Sequence, residues 1–305
     1  MRIATCGGDT KWRGLVVAQL AATWVSHGRR AMIVDATPQQ ELIEILNVSP
    51  SLASRLPRLG EEGFRLKEYV QGGQSGLRAS SITECSVANA LSRQVGCSPS
   101  DPLISYYSGQ VSCRIQADAN LETKSETQND LPARFISLGA CEVDDITSLS
   151  RHHQALSILL NHLADTPTDG VFIHLDAGQL PFIDGVLGRV DLAVVVEEGE
   201  TSDLPSMLET LRRFRTPAVV LRSESFNPNT PPTERIEMSL RIVSSEGASI
   251  ATAIRQGITL HDAAPLIINH ADTLRRDPSR IDRNNQAMAA LTASRATRVG
   301  ARLLG

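Results

Sequence analysis

Short apolar runs of strand length alternate with longer segments of helical periodicity along most of this chain. Near-continuous apolar runs, typical of strands covered on both faces, predict strands at 2–5, 31–34, 133–138, 171–175, 192–196, 217–221 and 240–243. Apolar residues at helical spacing predict helices at 15–25, 41–48, 145–163 and 203–214, and the chain after 243 is predicted to be helical. This alternation predicts an α/β fold, a doubly wound, mostly parallel sheet flanked by helices.

The middle of the chain, 49–132, interrupts the alternation. Residues 72–76 are rich in glycine and 117–130 are almost wholly polar, and such composition favours irregular structure. We therefore expect an irregular insertion between the second and third core strands. The whole chain, 1–305, is predicted to be one domain with a basic helical segment at 273–305.

The first 40 residues carry the clearest local pattern, which is strand, glycine turn, helix and strand. The predicted strand 2–5 runs into the glycine pair Gly7 and Gly8, and a helix and a second strand follow. A βαβ unit of this kind places the amides of the turn and the positive end of the helix dipole at the carboxyl edge of a parallel sheet. A phosphate group is stabilised there, and Lys11 would add a point charge.

Composition narrows the class of protein. A chain of 305 residues with 41% hydrophobic residues has the size and composition of a soluble globular protein with a full core. No apolar run approaches the ~20 residues needed to cross a bilayer, so we expect a cytoplasmic protein. The net charge of −4 gives no global attraction to nucleic acid and leaves only a local basic patch for such binding.

Cysteine and histidine positions give no metal site. The chain has five cysteines, an odd number that indicates reduced thiols. Four of them lie in the middle of the chain, at Cys85, Cys97, Cys113 and Cys141. Their spacings match no metal-binding pattern, so an iron–sulfur cluster is not expected. His152 and His153 are adjacent on a predicted helix and diverge by ~100°, so they are predicted to be solvated surface residues.

Three segments resemble motifs of the ParA/MinD family of deviant-P-loop ATPases, of the SIMIBI class. Residues 7–11 are similar to the family's phosphate loop, usually K-G-G-x-G-K-T-T, and 29–39 to its second motif, a strand that ends in D-x-D-P-Q. Residues 170–178 are similar to its Walker B strand, and the three segments occur in the family's order. The resemblance implies a Rossmann-like P-loop NTPase fold, a homodimer, and ATP or ADP as the ligand.

The resemblance also assigns roles to particular positions. The nucleotide-binding residues that it implies are Gly7, Gly8, Asp9, Thr10 and Lys11. It implies a catalytic role for Lys11, Asp35 and Asp176, and Mg²⁺ binding by the two aspartates.

Four positions depart from the family's pattern. In register on the paired glycines, Cys6 replaces the signature lysine and Trp12 replaces the hydroxyl residue that ligates magnesium. Thr37 replaces the aspartate that positions the attacking water, and His174 replaces the Walker B aspartate, with Asp176 two residues further on. An indole has no oxygen to offer a metal. Together these changes remove charge that stabilises a transferring phosphoryl group, so weak or absent hydrolysis is expected.

The expected function is that of a ParA/MinD-like nucleotide-binding protein with weak or no ATP hydrolysis. Such a protein would position or regulate another cellular assembly through a protein partner. Two alternatives stay open. One is an active ATPase of partition or metallocentre-maturation type, in which Lys11, Asp35 and Asp176 suffice for Mg²⁺ and hydrolysis. The other is a nucleotide-free protein-interaction module, a pseudo-ATPase that kept only the fold.

A basic stripe lies near the end of the chain. Arg295, Arg298 and Arg302 fall on one face of a predicted helix, and their guanidinium groups are suited to phosphate. We expect this stripe to bind an anionic partner, with non-specific DNA the first candidate. The Ala-rich apolar side of the helix lacks aromatic residues, so stable membrane anchoring is not expected.

Overall fold

The computed structural model describes residues 1–8, 10–61, 106, 108–113, 131–142, 145–163, 166–176, 186–198, 204–223, 238–243 and 255–276. Within these residues, nine strands form one sheet. In chain order they are β1 (Arg2–Gly7), β2 (Arg30–Ala36), β3 (Ser108–Cys113), β4 (Leu131–Ser137), β5 (Asp169–Leu175), β6 (Leu192–Glu198), β7 (Ala218–Ser223), β8 (Met238–Val243) and β9 (Arg255–Ile258). Their order across the sheet is β3-β4-β2-β5-β1-β6-β7-β8-β9.

The six neighbouring strands from β4 to β7 in that order run parallel. At one edge β3 pairs antiparallel with β4, and at the other β8 and β9 continue antiparallel from β7. This arrangement confirms the predicted doubly wound, mostly parallel sheet. Because β1 lies between β5 and β6, its carboxyl end is the point where the strand order reverses, and sheets of this type bind ligands there.

Helices cover both faces of the sheet. The described helices are α1 (Thr10–Ser26), α2 (Leu42–Ile45), α3 (Pro50–Ala53), α4 (Ile146–His162), α5 (Leu204–Arg213) and α6 (Leu260–Arg275). α1 packs between the sheet and α6, while the apolar residues of α4 and α5 join the core on the opposite face. Burial from both sides explains why α1 is apolar around most of its circumference. Among the described residues, no helix has the length and apolar character required to cross a bilayer.

Trp24 fixes the C-terminal half of α1 against the sheet. Its side chain is buried, its Nε1 donates to the carbonyl oxygen of Arg30 at 3.0 Å, and its ring meets Phe172 edge-on with the centroids 6.3 Å apart. Such aromatic pairs stabilise by about 0.5–1.5 kcal/mol beyond area burial. These contacts tie α1 to β2 and β5, and so fix the direction in which its N-terminus meets the end of β1.

The predicted core strands all correspond to observed ones, but β9 was not predicted. The prediction that the chain after 243 is helical is wrong, because β9 pairs with β8 before α6 begins. β9 contains one large apolar residue, Ile258, and β3 lies within the predicted insertion 49–132. β3 and β9 are the two edge strands of the described sheet, and an edge strand need not be apolar on both faces. The predicted helix at 41–48 is shorter, and only the four residues of α2 are helical.

The prediction that His152 and His153 are solvated is wrong. The two side chains are buried, 5% and 0% exposed. Gly60 packs directly on the ring of His152, since a Cβ atom at Gly60 would lie 2.2 Å from the ring carbon Cδ2. The loop that follows α3 thus covers this part of α4, and that tertiary contact is not visible in helical periodicity.

Candidate functional site

The turn after β1 approaches β6 so closely that it requires glycine. Gly7 and Gly8 have φ angles of 83° and 31°, values that residues with side chains seldom adopt. A Cβ atom at either position would lie 2.7 Å from the carbonyl oxygen of Val196. The glycine pair therefore lets the chain turn tightly at the end of β1 and enter α1 after a single intervening residue.

The N-terminus of α1 is suited to an anion. Its first turn has no acidic residue, whereas Lys11 and Arg13 place two basic residues close to the positive end of the helix dipole. The predicted contacts Asp9, Thr10 and Lys11 fall at this point of the chain. Asp9 lies outside the described residues, as do the side chains of Thr10 and Lys11, so their contacts with a nucleotide stay predictions.

Arg13 is a residue of this turn that sequence reasoning missed. Its side chain is fully buried, and its Nη1 donates to the carbonyl oxygens of Gly7 and Gly8. Side chains on a helix lean toward its N-terminus, which is why an arginine in α1 reaches back to the glycine turn. The sequence signal that could have identified it is a charged residue placed between Trp12 and the apolar stretch of α1.

Cys6, the residue before the glycine pair, is a buried thiol near the Arg13 charge. Burial raises the pKa of the Cys6 thiol to about 12, against an opposing effect of the nearby Arg13 charge. Cys6 is therefore a neutral, buried thiol at neutral pH. The cation that contacts the glycine turn in this structure is therefore Arg13 and not the residue at position 6.

Asp35 at the end of β2 is fully buried and holds the turn that follows it. Its Oδ1 accepts from the backbone N–H of Thr37 at 3.1 Å and from the Thr37 hydroxyl at 2.7 Å. Its Oδ2 accepts from the backbone N–H of Leu42 at 3.0 Å, at the start of α2. Both carboxylate oxygens are therefore engaged in the local fold. Thr37 stands where the resembled family has its water-positioning aspartate, and here its hydroxyl donates a hydrogen bond to Asp35.

His174 lies beside Asp35 in a buried polar row beneath α1. Its Nδ1 is 3.5 Å from Oδ1 of Asp35, and neither side chain is exposed. In the sheet register His174 lies between Asp35 on β2 and Thr5 on β1, and Asp35 also neighbours Ser137 on β4. Gly14 of α1 lies over this row, since a Cβ atom there would be 3.6 Å from Cε1 of His174.

The described residues do not fit the magnesium site that the family resemblance implies. Trp12 is buried in the core and offers no oxygen, and His174 offers only nitrogen. The oxygens of Asp35 already accept hydrogen bonds from the backbone. In the described ranges no group of three His, Cys, Asp or Glu residues could hold a metal ion. Asp176 is half-buried just beyond β5. Its role as a magnesium ligand stays a prediction.

A second polar pair lies at the same edge of the sheet. The Cys141 Sγ is 3.8 Å from Nδ1 of His152, and the Cys141 backbone N–H donates to the carbonyl oxygen of Pro38 after β2. Burial, with smaller effects of the Asp145 and Asp176 charges, raises the pKa of the Cys141 thiol, and burial lowers the pKa of His152. The pair is therefore a neutral thiol next to a neutral imidazole. It does not have the thiolate character of a catalytic cysteine.

Thiol labelling can test this electrostatic environment. We expect Cys141 to react with iodoacetamide more slowly at pH 8 than an ordinary thiol, because its raised pKa reduces the thiolate fraction, and we expect the rate to increase with pH. Asp176→Asn should lower that pKa and increase the rate, because it removes one of the negative charges that raise it. Peptide mass spectrometry measures the rate. Rapid labelling of Cys141 at neutral pH would contradict this assignment.

Comparisons with known proteins find similarity only among solved structures. No family model matches the chain, and no curated protein matches it. Cobyrinic acid a,c-diamide synthase from Mycobacterium smegmatis is 15% identical with a TM-score of 0.43, and the match covers 75% of each chain. The kinase domain of the Escherichia coli tyrosine kinase ETK is 11% identical with a TM-score of 0.37, over 75% of this chain and 71% of that one. At these values the similarities say nothing about function.

Proposed function

We propose that this protein is a ParA/MinD-like nucleotide-binding protein with weak or no ATP hydrolysis, which positions or regulates another assembly. The observation that carries the proposal is the glycine turn at Gly7 and Gly8, which joins the end of β1 to the N-terminus of α1 at the switch point of the sheet. This geometry supports phosphate binding, because turn amides and a helix dipole need no catalytic side chain to hold an anion.

Weak hydrolysis is supported by what surrounds the turn. Trp12 is packed in the core, the Thr37 hydroxyl is engaged with Asp35, and His174 is buried against the same carboxylate. None of these groups is placed to hold a metal ion or a water molecule against a phosphate. Since phosphoryl transfer depends on such positioning and charge, the site is better suited to binding a nucleotide than to hydrolysing it.

The proposal also includes two partners, a second copy of the chain and an anionic molecule. Homodimerisation follows from the family resemblance, and the stripe of Arg295, Arg298 and Arg302 is proposed to contact an anionic partner such as DNA. These three arginines lie outside the described residues.

Nucleotide binding is tested with a Lys11→Ala variant. We expect the parent protein to bind ATP or ADP in calorimetry, and Lys11→Ala to bind about tenfold or more weakly, because a charge-assisted contact contributes about 1.5–3 kcal/mol. Arg55→Ala is the matched control, since Arg55 is an exposed basic residue after α3. A Lys11→Ala protein that bound nucleotide as well as the parent would show that the turn is not a phosphate loop.

A further inference from the structure

Two positions at the glycine turn disagree with a bound magnesium ion. Trp12, where the family has its hydroxyl ligand, is 7% exposed and belongs to the apolar cluster between α1 and the sheet. His174, where the family has the Walker B aspartate, is buried with its Nδ1 3.5 Å from Asp35. Indole and imidazole offer nitrogen at most, whereas Mg²⁺ requires oxygen ligands. The two positions that would approach the metal from α1 and β5 therefore have the wrong chemistry for it.

Arg13 brings a fixed cation to the same turn. Its buried guanidinium is held by the carbonyl oxygens of Gly7 and Gly8, and a guanidinium stays protonated in proteins. A charge in a buried, low-dielectric position interacts with a nearby anion more strongly than one in water does. A phosphate group bound at the glycine turn would therefore be attracted by the Arg13 charge, which is held beneath that turn.

We infer that this site takes the phosphate of a nucleotide without a divalent cation, and that Arg13 supplies the fixed positive charge at the glycine turn. The inference rests on the proposed function. Arg13 acts as a positioning residue, because it holds the glycine turn through Gly7 and Gly8 and contributes charge from beneath it. Nucleotide affinity should then be almost independent of magnesium, unlike that of a site built around a bound metal.

The first test is calorimetry of ADP binding to the full-length parent protein, with excess EDTA or with excess MgCl₂. We expect the two dissociation constants to agree within about threefold. Affinity that is about tenfold or more higher with Mg²⁺ would overturn the inference and leave the proposed function standing. Binding in neither buffer would overturn both, so the two failures are distinguishable.

The second test assigns the charge to Arg13. Arg13→Gln should weaken ADP binding in EDTA about tenfold or more, whereas Arg13→Lys, which can keep a positive charge but not the two guanidinium hydrogen bonds, should lose less affinity than Arg13→Gln. Arg55→Gln is the exposed control, and thermal melting establishes that each variant is folded. A folded Arg13→Gln protein that binds ADP in EDTA as tightly as the parent would overturn the assignment. If Arg13→Gln does not fold, the parent's response to Mg²⁺ still decides whether the metal is needed.

Discussion

Replacing Asp35 by alanine is expected to lower the free energy of unfolding by about 3–5 kcal/mol, because it removes a fully buried carboxylate and leaves buried donors without their acceptor. The donors are the backbone N–H and hydroxyl of Thr37 and the backbone N–H of Leu42. The substitution also removes the carboxylate beside His174. Urea unfolding of the parent and the variant measures the difference.

Two further variants provide free energies of unfolding with which that of Asp35→Ala can be compared. Thr37→Val removes the 2.7 Å hydroxyl bond and keeps the backbone contacts, so it should cost about 1 kcal/mol. Glu44→Ala removes an exposed carboxylate from nearby α2 and should change stability by no more than about 0.5 kcal/mol. If Asp35→Ala were as mild as Glu44→Ala, the carboxylate would not be needed for the turn and its predicted role as a metal ligand would gain support.

The central strands of the sheet could be predicted because they must be apolar on both faces. Strands such as β5 and β6 are buried on both faces, so their sequences are continuous apolar runs. At the edges that requirement is absent. β3 and β9 are held by pairing with β4 and β8, and backbone pairing leaves little trace in the side-chain pattern.

The site could be predicted where it depends on the backbone and not where it depends on long side chains. The glycine turn follows from Gly7 and Gly8, whose conformation and proximity to β6 exclude other residues. The reach of Arg13 back to that turn depends on a rotamer and on the packing of α1, which no local pattern encodes. His174 could be recognised as a departure from the family, but its placement beside Asp35 follows from the register of β2 and β5.

The departures from the family's pattern change the charge of the site. Relative to the family that the sequence resembles, the site has a neutral, buried Cys6 in place of a lysine, and Thr37 and His174 in place of two aspartates. Arg13 adds a buried positive charge at the turn, and the described residues contain no group of three His, Cys, Asp or Glu side chains that could hold a metal ion. A site with this balance favours an anionic ligand and lacks the usual means of holding a divalent cation.

The expected steady-state rate of ATP hydrolysis is lower than that of an active ATPase of the ParA/MinD type that the sequence resembles, by a factor of about 10²–10³ or more, because losing one oriented electrostatic contact commonly costs that much. Trp12, Thr37 and His174 each replace a group that would hold metal or water, and all three side chains are buried in this structure. Phosphate release, measured with ATP and excess MgCl₂ on protein that binds nucleotide, is the direct test.

Lys11→Ala provides the background for that measurement, because any turnover that persists in it comes from a contaminating ATPase. We expect the parent and Lys11→Ala proteins to release phosphate at the same low rate. A robust turnover that disappears in Lys11→Ala would instead support the active ATPase, with Asp35 and Asp176 as the remaining candidates for metal and water ligands. In that case Asp176→Asn should abolish the activity, and Asp35 would have to exchange its hydrogen bonds with Thr37 and Leu42 for a metal ion.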